Sequence, residues 1–195
     1  GPYRFKEYVA GDKVSFTAND DYFMGKPAAK SVTYKAVPEV SARIAGLVSG
    51  EFDIAVEIPP DQIPVLEKYD DVKPSSVILE NSHVITFNTK HEVMKDPKIR
   101  QALSLAIDRK KLIDTLWQGK TITPNGNQMS IFGEYYIKDF PEFAYDPAKA
   151  KKLLADSSYK GQTVEYRLIP NYYTNSMEAA QIIQEMWKQI GFNMK

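Results

Sequence analysis

Cysteine is absent from the 195 residues, so disulfides and thiolate metal sites are excluded within them. That absence fits an exported protein that avoids stray oxidation, and it fits a cytosolic one equally. Histidine is scarce: His83 and His91 are the only two. Without cysteine beside them, and at a spacing that suits neither a helix face nor a hairpin, they read as surface or packed side chains rather than metal ligands. Neither sits in a nucleophile motif, so a Ser-His-Asp arrangement has no base. No GxGxxG and no GxxxxGKS/T occurs, which leaves a nucleotide site unsupported and no cofactor expected. Excess charge is missing too. Lysine plus arginine and aspartate plus glutamate each number 25, so no basic face recommends a nucleic-acid partner. No apolar run approaches the ~18 residues of a membrane-crossing helix, and no leader-like stretch opens the sequence.

What is present is a legible pair of helices between Asp96 and Gly119. Asp96 can cap the first, with Pro97 at the first helical position where a missing N–H costs nothing. Ile99, Leu103, Ala106 and Ile107 recur at helical spacing as one apolar face. Asp108 can cap the second helix, whose buried stripe is Leu112, Ile113, Leu116 and Trp117, and Gly119 offers a left-handed stop. Asp146 and Pro147 repeat the cap-and-proline device. A last helix aligns Ala179, Ile182, Ile183, Met186, Trp187 and Ile190 before Gly191.

The first third reads as alternating strand and helix. Val14, Phe16 and Ala18 alternate with polar neighbours, and Val32 to Val37 forms a second strand. Pro38 opens a helix presenting Val40, Ile44, Leu47 and Val48, stopped by Gly50, and Phe52, Ile54, Val56 and Ile58 alternate after it. Strand, helix and strand predict a right-handed parallel β-α-β unit. Pro59-Pro60 ends it, and a short helix over 61–68 and strands over 72–79, 84–88 and 163–169 are expected to follow. Residues 121–145 are long, aromatic and irregular, a length uncommon unless functional or held by a partner surface. Glu51, Asp53 and Glu57 fall on the polar side of a strand, better explained by solvation than by acid/base chemistry.

The stretch Arg100-Gln101-Ala102-Leu103, then Ala106-Ile107-Asp108-Arg109, closely resembles the signature "vRqAlsyAiDr" of extracellular solute-binding proteins of family 5, which serve peptide, nickel and opine ABC importers. Further matches run in family order. Gly1-Pro2-Tyr3 resembles "GTGPY", and Asn19 to Phe23 with Gly25-Lys26-Pro27 resembles "rNpdYwgg.P". Arg43, Leu47, Ser49-Gly50-Glu51 and Asp53-Ile54 resemble "R...l.sGevDi", and Phe87-Asn88 the "FN" before the signature. Tyr145 to Leu154 resembles "y.yDpekAk.LL", and Gln181 to Phe192 resembles "a..iq..l..iGi.v".

The resemblance implies an α/β fold, a fragment of a two-lobed periplasmic-binding-protein fold of the oligopeptide-binding class, with mixed sheets flanked by helices. Family members extend beyond both ends, so the chain reads as an internal fragment. Residues 1–80 are expected in one lobe and 81–195 in the other, with the ligand in the cleft between them. Arg100 and Asp108 are expected to determine the fold rather than touch ligand, and Tyr22 and Phe23 to pack beneath a loop.

Asn171, Tyr172, Tyr173 and Asn175 are the leading ligand-binding candidates. They stand between a strand and a helix N-terminus, where N–H groups favour an anion and tyrosines can stack on apolar groups. Dipeptide-binding relatives carry an arginine in this loop, and its absence here counts against simple dipeptide specificity. Asn127, Gln128 and Phe132, with Asn125 and Tyr135 nearby, form the second candidate segment. The implied function is capture of an oligopeptide or similar small solute without chemistry, by a monomer that delivers it to ABC permease membrane subunits. It would work in the periplasm or from a lipid anchor on the outer face of the cell membrane. The alternatives are a ligand-presenting sensor module of the same fold and, less favoured, an α/β enzyme fragment.

Overall fold

The alternation Val14, Phe16, Ala18 marks the middle strand of a three-stranded antiparallel sheet, β1 (Tyr3–Val9), β2 (Lys13–Ala18) and β3 (Ser31–Lys35), in the computed structural model of the chain. The structure describes every residue except Ile78, Glu80, Asn125, Asn127, Glu142 and Asn171. β1 and β2 form a hairpin through Gly11, whose φ of 74° suits glycine, and Asp12 N–H closes the turn on the Val9 carbonyl at 3.1 Å. Phe5 pairs with Phe16, which pairs with Val32, and a bulge interrupts the ladder between Phe5 and Glu7. Phe5, Phe16 and Tyr34 stack edge-to-face across the three strands at 6.2 and 6.1 Å. The opposite face buries Ser15, whose hydroxyl lies 3.0 Å from that of Thr33.

Helix α1 (Val40–Val48) follows, two residues after the expected Pro38 start, with Arg43 Nη1 donating to the Val37 and Pro38 carbonyls. It ends at Gly50, in a left-handed conformation. Its Gly46 lies directly against the Phe52 ring, and Phe52 N–H donates to the Gly46 carbonyl. Here the expected β-α-β unit is corrected. Residues 52–58 form no strand, Glu57 turns to a positive φ of 56°, Ile54 and Val56 are exposed, and the only sheet among the described residues is antiparallel. Alternation fits a residue to a pleated surface, but a strand exists only where another backbone takes its N–H and C=O groups. The segments 72–79 (of which Ile78 lies outside the described residues) and 84–88 fail as strands for the same reason. Phe23, expected beneath a loop, is 87% exposed and rests edge-on against Tyr22. The short helix survives as a 3-10 turn, Pro60–Gln62, running into α2 (Ile63–Leu66).

The chain divides into two units. Gly1–Val56 with Tyr69–Val72 make the first, and Glu57–Lys68 with Lys73–Lys195 the second. The second holds an apolar core supplied by α3 (Pro97–Leu105), α4 (Arg109–Leu116), α5 (Pro147–Ala155) and α6 (Ser176–Gln189). Ile99, Ala102, Leu103, Ala150 and Phe192 are essentially inaccessible at its centre, and Ile85 and Phe87 pack against it from the extended segment. Each aspartate foreseen as a cap is one: Asp96, Asp108 and Asp146 accept from the N–H groups of Lys98, Lys111 and Lys149 at 2.8 to 2.9 Å. Asp96 also accepts from Ser158 N–H at 2.8 Å, tying the start of α3 to the turn after α5.

The signature residues act at the two ends of α3. Arg100 Nη1 donates to the Met94 and Lys95 carbonyls of the preceding turn. A helix leaves its last carbonyls without intrahelical partners, and here those of Leu103, Ser104 and Leu105 are all met. Ser104 O takes both Ile107 N–H and Arg109 Nη1. Leu105 O takes Asp146 N–H, and Leu103 O takes the Trp187 indole N–H from α6 at 2.8 Å. Arg109 further reaches the Ser104 hydroxyl and lies 4.4 Å over the Phe143 ring, which holds the irregular segment against the helices. Burial pulls its guanidinium below the ordinary value. The expected strand over 163–169 is reduced to a parallel bridge between Val164 and Met194, extended by Tyr166 N–H to Lys195 O.

Candidate functional site

The loop ahead of α6 is built outward from the core. Asn175 adopts the left-handed conformation, φ 59°, and its Nδ2 donates 2.7 Å to the Leu116 carbonyl at the end of α4. Its carbonyl accepts from Ala179 N–H, and Ser176 N–H donates to Tyr173 O. Asn175, read from the sequence as a ligand contact, therefore has its amide nitrogen engaged in fixing the loop. Tyr172 and Tyr173 extend from that fixed point, exposed by 63% and 55%, and meet edge-to-face at 4.6 Å. Asn171, named with them, lies outside the described residues.

The expected anion preference of this helix start is not supported. The Ser176 N–H is already engaged, and the first turn carries the exposed carboxylate of Glu178, which itself complements the helix dipole. The Ser176 hydroxyl is buried and finds no partner among the described residues.

Sequence reasoning missed His83. Its ring centroid lies 5.3 Å from that of Trp117, nearly perpendicular at 85°, and 5.6 Å from that of Tyr173, tilted at 42°. Trp117 terminates α4 beside the Leu116 carbonyl that Asn175 holds, so one anchor brings indole, imidazole and phenol together. No hydrogen bond or ion pair to His83 exists among the described residues. Desolvation against the rings holds its pKa below the ordinary histidine value, although the side chain keeps exposed surface. Only the alternation of the 84–88 segment hinted that one side of this stretch faces away from the core.

The second candidate segment folds on itself. Gln128 Oε1 accepts from Ile137 N–H at 3.0 Å, closing a loop around the 3-10 turn Ser130–Tyr135 with a break at Gly133. Phe132 is half-buried in that turn, and Tyr135 is 75% exposed. Asn127 and Asn125 lie outside the described residues. No hydrogen bond or ring contact among the described residues joins Gln128 or Phe132 to the Tyr172–Tyr173 loop. His91 does not join His83, and no group of three or more potential metal ligands exists among the described residues.

Comparison with known proteins decides the family. The model for the middle region of the bacterial extracellular solute-binding proteins, family 5, matches residues 1–195. The chain belongs to that family.

The oligopeptide-binding protein AppA of Bacillus subtilis is 31% identical over 208 residues, covering all of this chain and 38% of AppA. The solved AppA complex with a nonapeptide matches at 28% identity with a TM-score of 0.75, again over the whole chain and 41% of the solved one. A dipeptide-binding protein from Pseudoalteromonas sp. SM9913, solved with Met-Leu, matches at 27% identity and a TM-score of 0.77 over 39% of its chain. NikZ of Campylobacter jejuni, at 24% identity and a TM-score of 0.83, shares the fold. The chain thus spans about two fifths of the length of the family 5 relatives it matches, and its α/β architecture is part of their binding-protein fold.

Proposed function

We propose that the protein carrying this chain is the solute-binding component of an ABC importer, and that its solute is an oligopeptide or similar small molecule. The observation that carries the reading is the family 5 match over every residue, with a peptide-binding relative at 31% identity. The protein captures rather than transforms. Two lobes close on the solute and the closed form is presented to the membrane permease, so ligand works by shifting a population between open and closed states. In that arrangement residues 1–80 contribute to one lobe and 81–195 to the other, with 57–68 and 73–80 sharing the contacts of the latter. The ring cluster of Tyr172, Tyr173, His83 and Trp117 supplies apolar contact area, while Gln128 and Phe132 border the same cleft. The protein acts as a monomer outside the cytoplasmic membrane, in the periplasm or held by a lipid anchor.

Native mass spectrometry of the whole protein, purified without denaturation, tests this directly. Co-purified peptides, and calorimetric binding of a defined tri- to nonapeptide set, are the expected result. A protein that carries no solute and binds no peptide in that set overturns the peptide reading. Loss of peptide uptake on deleting its gene, restored by the intact gene alone, separates transport from a sensing role.

A further inference from the structure

We propose that His83, Trp117 and Tyr173, with Tyr172 at the rim, form a subsite for a flat, uncharged aromatic group of the solute, such as a phenylalanine or tryptophan side chain. The inference rests on the peptide-capture reading and names what this part of the site selects. Four rings carried by three separate stretches of chain converge at one exposed place: His83 before α3, Trp117 at the end of α4, and the two tyrosines before α6. Successive rings alternate in orientation, at 85°, 42° and 80°. Such an assembly offers faces and edges together, and an added ring is accepted by either offset stacking or edge-to-face contact.

The surroundings favour an uncharged group. No carboxylate among the described residues is paired with any of the four rings, so a cation would gain ring faces but no counter-charge. Glu178, in the first turn of the adjoining helix, opposes an anion. The imidazole is held toward its neutral form by the rings around it, and so adds a flat heteroaromatic wall rather than a charge. Anchoring makes the surface selective. The Asn175 amide fixes the loop to the Leu116 carbonyl, so the tyrosines need little ordering when a ligand arrives.

Calorimetry on the whole protein with Ala-Phe-Ala, Ala-Trp-Ala, Ala-Ala-Ala and Ala-Lys-Ala at pH 8 tests the assignment. The aromatic peptides are expected to bind about tenfold tighter than Ala-Ala-Ala, the scale of one to two good ring contacts. His83→Ala should reduce that ratio to about threefold or less, with the circular dichroism spectrum unchanged. His83→Phe should restore it. An unchanged ratio in folded His83→Ala, or preference for Ala-Lys-Ala, overturns the subsite while the peptide reading stands. If no tripeptide binds, N-acetyltryptophanamide reads the subsite alone. A shift of the His83 ring protons supports it, and no shift at millimolar probe overturns it.

Discussion

Replacing Trp187 by phenylalanine tests the closure of the signature helix. Trp187 is 3% exposed, and its indole N–H is the partner of the Leu103 carbonyl, on a residue with no exposed surface. The helix offers that oxygen no substitute, because the N–H four residues on, at Ile107, donates to Ser104 O instead. Phenylalanine keeps an aromatic ring but removes the donor, leaving a buried acceptor unmet at a cost of about 1–3 kcal/mol. The smaller ring also leaves a gap beside Phe192 and Tyr166, adding roughly 1 kcal/mol. The expected loss is therefore about 2–4 kcal/mol, near the ~3–5 kcal/mol expected of Trp187→Ala. Urea unfolding followed by far-ultraviolet circular dichroism reads the loss as a lower midpoint at unchanged slope. The Leu103 carbonyl carbon should shift as its hydrogen bond is lost. A loss below about 0.5 kcal/mol, the range of an ordinary surface change, would refute the reasoning, as would an unmoved carbonyl resonance.

Asp96→Ala removes a helix cap and the link to Ser158, and should cost about 1–2 kcal/mol at pH 7. The Ser158 and Lys98 N–H groups hold the Asp96 carboxyl below its ordinary range. Its contribution is thus complete above the unfolded pKa near ~4 and lost as pH falls through the lower folded value, so denaturation midpoints of native and variant should converge below about pH 4. Gly46→Ala drives a Cβ into the Phe52 ring and should destabilise the first unit by about 1–3 kcal/mol, measured by thermal unfolding. Unchanged stability would show that Phe52 moves aside freely. Replacing Tyr172 and Tyr173 together by alanine should weaken peptide binding while changing stability by no more than about 0.5 kcal/mol, since both rings are largely exposed. Unfolding of the double variant would assign them to the core.

Local signals determined the helices. A cap, a proline at the first position and an apolar stripe at three- and four-residue spacing are interactions within one turn of one another, so Asp96, Asp108 and Asp146 and the faces behind them were legible without knowledge of the rest of the chain. The family was legible for a related reason, because Arg100 and Arg109 satisfy carbonyls only a few residues away and stand at fixed spacing from the helix they close. The strands were legible only in part, since β2 and β3 stand where alternation put them and the later ones do not. Residues 52–58 and 84–88 carry the alternation of Val14, Phe16 and Ala18, yet only β2 has neighbours on both sides to take its backbone hydrogen bonds. Tertiary structure alone decided that Trp187 closes α3 from 84 residues away, and that Asn175 is an anchor bonded across 59 residues to α4. It also placed His83, isolated in sequence and without a metal-binding neighbour, against Trp117 and Tyr173. Contacts between distant residues leave no spacing to read, because the folded path of the chain, not its order, sets which side chains meet.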